Sequence, residues 1–108
     1  MEAKLAKICN ALGNETRLRL VMEMSTGCMG TCCDKISCDE QGISVADAVA
    51  FTGLAQSTVS QHLNVLEDAG ILRREKRSQW TVFQLDRELL DSFCAQLSQA
   101  LLGAQPQT

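Results

Sequence analysis

The 108-residue sequence contains no tyrosine, only one histidine and no glycine-rich phosphate-binding loop. It also lacks a Ser-His-Asp or Cys-His arrangement with a credible base, and the parallel-sheet pattern that a thiol-based reductase would need. No apolar run approaches the length of a membrane span, and the start MEAKLAKICNALG lacks the pattern of a secretory signal. We therefore expect a cytoplasmic protein that is not an enzyme and has no membrane partner.

The charge of the chain is unevenly distributed. Its formal net charge of −3 at pH 7 does not by itself indicate a nucleic-acid-binding protein. However, four of the ten Lys and Arg residues lie within five positions: Arg73, Arg74, Lys76 and Arg77. The length and the hydrophobic fraction of 45% suit one globular domain with one modest core. The basic cluster therefore marks one local surface of a single domain.

Two helices are predicted before residue 26. Their apolar positions recur at helical spacing: Leu5, Ile8 and Leu12 in the first helix, and Leu18, Val21 and Met22 in the second. Gly13 ends the first helix, and Asn14 can cap the second. The following residues 26–42 show no clear period and predict a loop or irregular segment.

Two short helices joined by a tight turn are predicted next. Ser44 and Asp47 form a start like a capping box for the first of them, which breaks at Thr52-Gly53. The second is expected to end at Gly70 and carries an apolar face: Val59, Leu63 and Leu66. This arrangement is that of a helix-turn-helix.

A β-hairpin and a last helix complete the pattern. The segment ILRREKRSQWTVFQL predicts one strand from residue 71, a charged tip over 75–79 and a second strand over 80–85. In the second strand, Thr81, Phe83 and Leu85 alternate as in a half-buried strand. The last helix carries a wide apolar stripe: Leu89, Leu90, Phe93, Cys94, Leu97 and Leu101. We expect part of this stripe to face a second subunit, since a small domain does not need it all.

The order of these elements predicts the fold class. It is mainly α with a small β-hairpin, which is the plan of a winged helix-turn-helix domain. We predict that the domain spans residues 1–103 and contains a cysteine-rich insertion over 26–42. Residues 104–108 form a polar tail.

The second helix of the helix-turn-helix is the candidate DNA-reading element. Opposite its apolar face it carries short polar and amide side chains: Gln56, Ser57, Thr58, Ser60, Gln61 and Asn64. Such groups bind base edges and phosphates, and the hairpin cations Arg73, Arg74, Lys76 and Arg77 would add salt-dependent affinity. Either feature alone could be ordinary solvated surface, but together they predict double-stranded DNA as the partner. His62 is expected to be structural or a minor DNA contact.

Four of the six cysteines lie within eleven residues of the predicted insertion: Cys28, Cys32, Cys33 and Cys38. In a reducing compartment such clusters indicate metal binding or redox chemistry rather than a disulfide framework. Their spacing does not match the C-x2-C pairs of a structural zinc ribbon, which favours a sensing site. Thiolates select soft ions.

The identity of the ion stays open at this point. Three thiolates suit trivalent arsenic or antimony, which we favour, while cadmium, zinc and copper(I) are further options. The alternative is a redox or reactive-sulfur sensor in which the same thiols form disulfide or polysulfide links. Cys9 and Cys94 lie on apolar helix faces, where we expect them to pack as small hydrophobes.

Two stretches resemble the ArsR/SmtB family of bacterial metal- and metalloid-sensing repressors. They are ALGNETRLRL at 11–20 and STVSQHLNVLEDAGILRREKRSQWTVFQL at 57–85. The resemblance implies a homodimer built on the first and last helices, a recognition helix over 57–64 and a basic wing over 73–79. It also implies a repressor that binds its operator without inducer and releases it when an ion binds.

Neither of the ion sites familiar in that family is present here. Arsenic- and cadmium-sensing members open the first helix of the helix-turn-helix with Cys-Val-Cys-Asp, where this chain has Ser44-Val45-Ala46-Asp47. Zinc-sensing members use paired Asp and His on the last helix, where this chain offers Asp86, Glu88 and Asp91 but no histidine. We therefore expect the sensing site of this chain to lie on the cysteine-rich insertion instead.

Overall fold

The computed structural model of the chain describes residues 2–26, 42–77 and 80–103. In chain order they form α1 (Glu2–Leu12), α2 (Glu15–Ser25), β1 (Gly42–Ser44), α3 (Val45–Thr52), α4 (Gln56–Asp68), β2 (Leu72–Arg77), β3 (Trp80–Leu85) and α5 (Arg87–Leu102). The described part is mainly helical with one small antiparallel sheet, as the sequence predicts. Of the predicted insertion over 26–42, only its two end residues are described. The predicted tail over 104–108 lies outside the described residues.

Two predicted helix starts are confirmed by their hydrogen bonds. The Asn14 side-chain oxygen accepts from the backbone N–H groups of Thr16 and Arg17, at 2.9 and 3.2 Å. At α3 the Ser44 hydroxyl oxygen accepts from the Asp47 N–H, and the Asp47 carboxylate accepts from the Ser44 N–H, both at 3.1 Å. Each cap satisfies backbone N–H groups that a helix leaves without a partner in its first turn.

Glycines end the two helices of the helix-turn-helix in left-handed backbone conformations. Gly53 follows α3 with φ 73°, and Gly70 follows α4 with φ 87°. The N–H of Gly70 donates to the Glu67 carbonyl at 2.9 Å, and that of Ile71 donates to the Leu66 carbonyl at 3.0 Å. This is the Schellman arrangement, in which glycine avoids the strain that a Cβ would meet at positive φ.

The sheet is larger than the predicted hairpin. Its strand order is β1-β3-β2, and both neighbouring pairs are antiparallel. No strand was predicted between the irregular segment, which was expected to end at Gly42, and the helix start at Ser44. The structure forms β1 there, and its Ile43 pairs with Phe83 of β3. The predicted charged tip over 75–79 is also too long, because β2 continues to Arg77, which pairs with Trp80.

One core joins all of these elements. It includes fully buried side chains from α2, β1, α4 and the sheet, such as Leu20, Ile43, Leu63 and Leu72. The predicted apolar face of α4 is confirmed, since Val59, Leu63 and Leu66 are all 0% exposed. In β3, Phe83 and Leu85 are buried and Thr81 is half-buried, but Val82 on the opposite side is buried as well.

The predicted buried face of α2 is wrong in part. Leu18 and Met22 are 42% and 57% exposed, whereas Leu20 and Met24 are fully buried. Both pairs have the same i, i+4 spacing, so the sequence offered two apolar stripes, and packing against the rest of the fold selected one of them.

The prediction that Cys9 and Cys94 pack as small hydrophobes is wrong for the described chain. Both side chains are exposed in the described chain. The neighbouring residues Ile8 and Phe93 occupy the buried positions of α1 and α5 instead. A residue one position along a helix points about 100° away, which carries each thiol off the buried face.

Removal of the Ser44 cap should destabilise the helix-turn-helix. We expect Ser44→Ala to lower the free energy of unfolding by about 1 kcal/mol, because the Asp47 N–H loses its acceptor. Urea unfolding measures this change. Ser57→Ala, at an exposed serine in the first turn of α4, is the control and should stay within about 0.5 kcal/mol of the wild type. Equal effects of the two substitutions would contradict a stabilising cap.

Candidate nucleic-acid interface

Helix α4 presents most of its predicted DNA-reading side chains to solvent. Gln56, Ser57, Thr58, Gln61 and Asn64 are exposed, and Ser60 is half-buried. They lie opposite the buried face that packs against the core, so the helix is divided lengthwise into an apolar and a polar half. The polar half carries both hydrogen-bond donors and acceptors, as the reading of base edges requires.

The start of α4 has no side-chain cap, unlike the starts of α2, α3 and α5. In α2, α3 and α5 a side chain of Asn14, Ser44 or Asp86 accepts from a first-turn N–H group. The N-cap of α4 is Ala55, which makes no side-chain cap hydrogen bond. The first backbone N–H groups of α4 are therefore left for an outside acceptor, and a phosphate oxygen is the acceptor that a helix N-terminus favours.

The predicted basic residues of the wing all lie in β2, but they do not share one environment. Arg73, Arg74 and Lys76 are all exposed. Arg77 belongs to the strand and pairs with Trp80. Arg74 is tied to other side chains: its Nη2 group donates to Asn64 Oδ1 at 2.9 Å and to Glu67 Oε1 at 2.8 Å.

A second arginine, which the sequence analysis did not single out, holds α4 from the other side. Arg17 of α2 donates through Nε to the Ala11 carbonyl at 2.6 Å and through Nη2 to the Asn10 carbonyl at 3.3 Å. Its Nη1 lies 3.1 Å from His62 Nδ1. Arg17 thus links the end of α1 to the middle of α4. Its place in the ALGNETRLRL stretch was the only signal in the sequence.

This contact defines the state of the His62 ring. Arginine has no acceptor, so Nδ1 must accept, and the proton of the neutral ring lies on Nε2. Burial first, and then the positive charge of Arg17, lower the pKa of His62 below its ordinary value of 6.5. His62 therefore has the structural role that was one of its two expected roles.

None of the predicted metal-binding cysteines, Cys28, Cys32, Cys33 and Cys38, lies within the described residues. Among residues 2–26, 42–77 and 80–103, no three His, Cys, Asp or Glu side chains are grouped closely enough to hold a metal ion. The helices in the same ranges include none with the length and apolarity of a membrane span.

Acidification should weaken the contribution of His62 to stability. Because its folded-state pKa lies below 6.5, this contribution is complete above that value and is lost as the pH falls through the folded-state pKa. His62→Gln keeps an acceptor for Arg17 and removes the titration. We expect the stability advantage of the wild type over this variant to shrink between about pH 8 and 5, as measured by urea unfolding. A difference that does not change with pH would contradict the neutral ring.

Sequence comparison connects the chain with known regulators. A model of the MarR family matches residues 38–79, the range that contains the helix-turn-helix and β2. A protein of Halobacterium salinarum named as an arsenical resistance operon repressor is 30% identical over 78 residues, which are 72% of this chain. The chain spans only 56% of the length of that relative.

Solved structures show the same fold. The crystal structure of an ArsR family transcriptional regulator superposes with a TM-score of 0.71 at 20% identity, covering 98% of this chain and 97% of that one. A homodimeric winged helix-turn-helix DNA-binding domain of a possible ArsR-family regulator from Mycobacterium bovis gives 0.65 at 15% identity, covering 98% and 89%. The matched proteins are transcriptional regulators rather than enzymes. In agreement with its sequence resemblance, this chain belongs to the ArsR family of winged helix-turn-helix proteins.

Proposed function

We propose that this chain is a transcriptional repressor of the cytoplasm that binds double-stranded operator DNA as a homodimer. We propose further that it releases the operator when a soft metal or metalloid ion binds the thiolates of the cysteine-rich segment. The observation that carries the DNA-binding part is the polar, uncapped face of α4 beside the basic strand β2. The name of the Halobacterium salinarum relative supports an inducer of the metalloid class.

In this proposal α4 enters the major groove with its polar half toward the bases. The exposed amide of Gln61 can donate to and accept from base edges, and the hydroxyls of Ser57 and Thr58 can bind phosphates near the uncapped helix start. Arg73, Lys76 and Arg77 on the wing supply the phosphate contacts that carry no sequence information. Two such reading heads in a homodimer would contact two half-sites one helical turn apart.

The second copy would cover the apolar end of α5. Leu101 and Leu102 are 74% and 75% exposed, and Leu90 and Leu97 are only partly buried against the core of their own chain. Helix α1 contacts α5, so both lie on the same side of the domain. Burial of this stripe against its symmetry mate would stabilise a dimer through the hydrophobic effect. The homodimeric relative from Mycobacterium bovis supports this expectation.

The inducer site that we propose is formed by Cys28, Cys32, Cys33 and Cys38. Thiolates prefer soft ions, and three of them suit trivalent arsenic or antimony, while cadmium, zinc and copper(I) are the other candidates. A thiol must lose its proton to bind an ion, so binding should release one proton for each thiol that enters as a neutral group.

The ends of the cysteine-rich segment suggest how the ion could act on DNA binding. Thr26 caps the end of α2, and Gly42 begins β1. β1 pairs with β3, which forms the wing together with β2. The last residue of β1, Ser44, is the capping residue of α3. A segment that tightens around an ion could therefore pull on the wing and on the helix-turn-helix together. Coupling between sites of about 1–3 kcal/mol would lower operator occupancy severalfold or more.

The reading role of Gln61 can be tested with an operator duplex. We expect Gln61→Ala to weaken binding to the operator by about 1–3 kcal/mol, with little effect on a scrambled duplex and on the salt dependence. Lys76→Gln should weaken binding to both duplexes and reduce the slope of log Kd against log salt by about one. Fluorescence anisotropy at several salt concentrations measures both quantities. Equal losses on the two duplexes for Gln61→Ala would exclude a reading role.

The inducer site can be tested by changing the adjacent thiols. We expect Cys32→Ser/Cys33→Ser to bind the operator normally but to lose its release by the inducer, since at most two thiols of the segment remain. Cys9→Ser/Cys94→Ser removes the same number of thiols from α1 and α5 and should keep normal release. Normal release by the Cys32→Ser/Cys33→Ser variant would show that the segment is not the sensor.

Native mass spectrometry of the reduced protein with arsenite, antimonite, cadmium and zinc in competition identifies the ion. One ion per subunit, bound with the loss of three or four thiol protons, is the expected result. A protein that takes up none of these ions would instead be the redox or reactive-sulfur sensor if its thiols are oxidised in pairs. Each disulfide formed with peroxide as the oxidant loses two hydrogens, and each link formed with polysulfide gains sulfur.

A further inference from the structure

Arg74 differs from the other cations of the wing because it is held by three side chains. It donates to Asn64 and Glu67 of α4, and its guanidinium lies 5.1 Å from the centre of the Phe83 ring. No comparable contact ties Arg73 or Lys76 to a side chain in residues 2–26, 42–77 and 80–103. These contacts orient the partly exposed Arg74 side chain toward α4, where it forms an ion pair with the Glu67 carboxylate.

The register of the sheet explains this orientation. Arg74 pairs with Phe83, and Phe83 pairs with Ile43 on its other side. Residues directly opposite in antiparallel strands point to the same face, so Arg74 shares the face of two buried core residues. Arg73 precedes it in the strand and points to the opposite face. The guanidinium is thus turned toward the recognition helix.

The contact also orients Asn64. A guanidinium has only donors, so the amide oxygen of Asn64 must face Arg74, and its NH2 group points elsewhere as a donor. A bidentate pairing with adenine needs the oxygen as well as the NH2 group of an asparagine. With one lone pair of its oxygen used by Arg74, the Asn64 amide has a fixed orientation in which its NH2 group is the donor available to an outside acceptor.

We propose that Arg74 is a positioning residue that fixes the wing against α4 and orients Asn64, with Glu67 as its anchor, and that it is not a phosphate contact. This inference rests on the proposed operator binding. It removes Arg74 from the predicted set of DNA ligands and gives Glu67, which was not in that set, a part in DNA binding. Only an arginine has the planar group that can lie over Phe83 while donating to two acceptors.

The experiment compares the salt dependence of operator binding between about 50 and 200 mM salt for four variants. Arg74→Gln should raise Kd at least about threefold without a change in the slope of log Kd against log salt, because no phosphate contact is lost. Arg73→Gln, which removes the same charge from the other face, should lower that slope by about one. Glu67→Ala should raise Kd as Arg74→Gln does, and the double variant should be no weaker than either single variant.

Asp68→Ala is the matched control for Glu67→Ala. Both changes remove one carboxylate from the end of α4, but Asp68 forms its ion pair with Lys7 of α1, away from the wing. Loss of a negative charge alone would tighten DNA binding in both variants. Weaker binding by Glu67→Ala and not by Asp68→Ala therefore separates the anchor from the general charge effect.

Two results would overturn the inference. If Arg74→Gln lowers the salt slope by about one while Glu67→Ala tightens binding, Arg74 is a phosphate ligand and Glu67 competes for it. If both variants bind with the Kd of the wild type, the contacts are only structural.

A measurement without DNA distinguishes failure of this inference from failure of the proposed function. Hydrogen exchange of the β2 and β3 amides should become faster in Arg74→Gln and Glu67→Ala but not in Arg73→Gln. If the wild type binds no duplex and these exchange rates change as expected, the proposed operator binding is wrong but the positioning role of Arg74 is supported. If the exchange rates are unchanged, the positioning role of Arg74 is refuted.

Discussion

The burial of one face of α4 is the constraint on which the rest of the structure depends. Val59, Leu63 and Leu66 are completely buried, and the helix contacts α1, α2, α3 and β2. A helix surrounded on one side by four elements has only its opposite side left for solvent or a partner. The same packing that stabilises the core therefore determines which side chains of α4 are available for DNA.

Burial of the apolar stripe sets the rotation of α4 about its own axis. Two arginines add directional contacts on the flanks of the helix. Arg17 binds His62 from the side of α1 and α2, and Arg74 binds Asn64 and Glu67 from the side of the wing. Hydrogen bonds are sensitive to angle, so these two contacts favour the same rotation of α4 that burial of its apolar face selects.

Both arginines also connect α4 to elements with other proposed roles. Arg17 reaches the last carbonyls of α1, a helix proposed to take part in the dimer, and Arg74 belongs to the wing. A displacement of α1 or of the wing would therefore change the position of the DNA-reading side chains of α4. This gives the proposed release of the operator a physical route that runs through side chains of the described chain.

The features that could be predicted from the sequence are those that depend on neighbouring residues. Asn14, Ser44, Gly53 and Gly70 act through their own backbone or through residues at most five positions away, so local patterns identify them. The buried stripe of α2 could not be predicted, because its two stripes have the same spacing and only the rest of the fold distinguishes them. The bonds from Arg17 to His62 and from Arg74 to Glu67 join distant parts of the chain, so no local pattern contains them.

The helix cap at Ser44 offers a physical reason for an unusual position of the thiols. In the arsenic- and cadmium-sensing proteins that the sequence resembles, a cysteine stands where this chain has Ser44. Here the Ser44 oxygen accepts the Asp47 N–H as part of the cap that starts α3. A cysteine sulfur at this position would be a weaker acceptor for that N–H group than the hydroxyl oxygen, and a bound ion would draw on the same lone pairs. Helix initiation and ion binding would compete for one atom.

The proposed segment over residues 26–42 separates these two tasks. Its cysteines precede β1, so an ion could bind there while Ser44 continues to cap α3. The helix-turn-helix would then keep its starting cap in both the DNA-bound and the ion-bound states. The ion would act on it through β1, whose residues Gly42, Ile43 and Ser44 pair with β3 of the wing. With Ser44 held in the cap of α3, thiols that lie before β1 are placed where an ion could bind without breaking that cap.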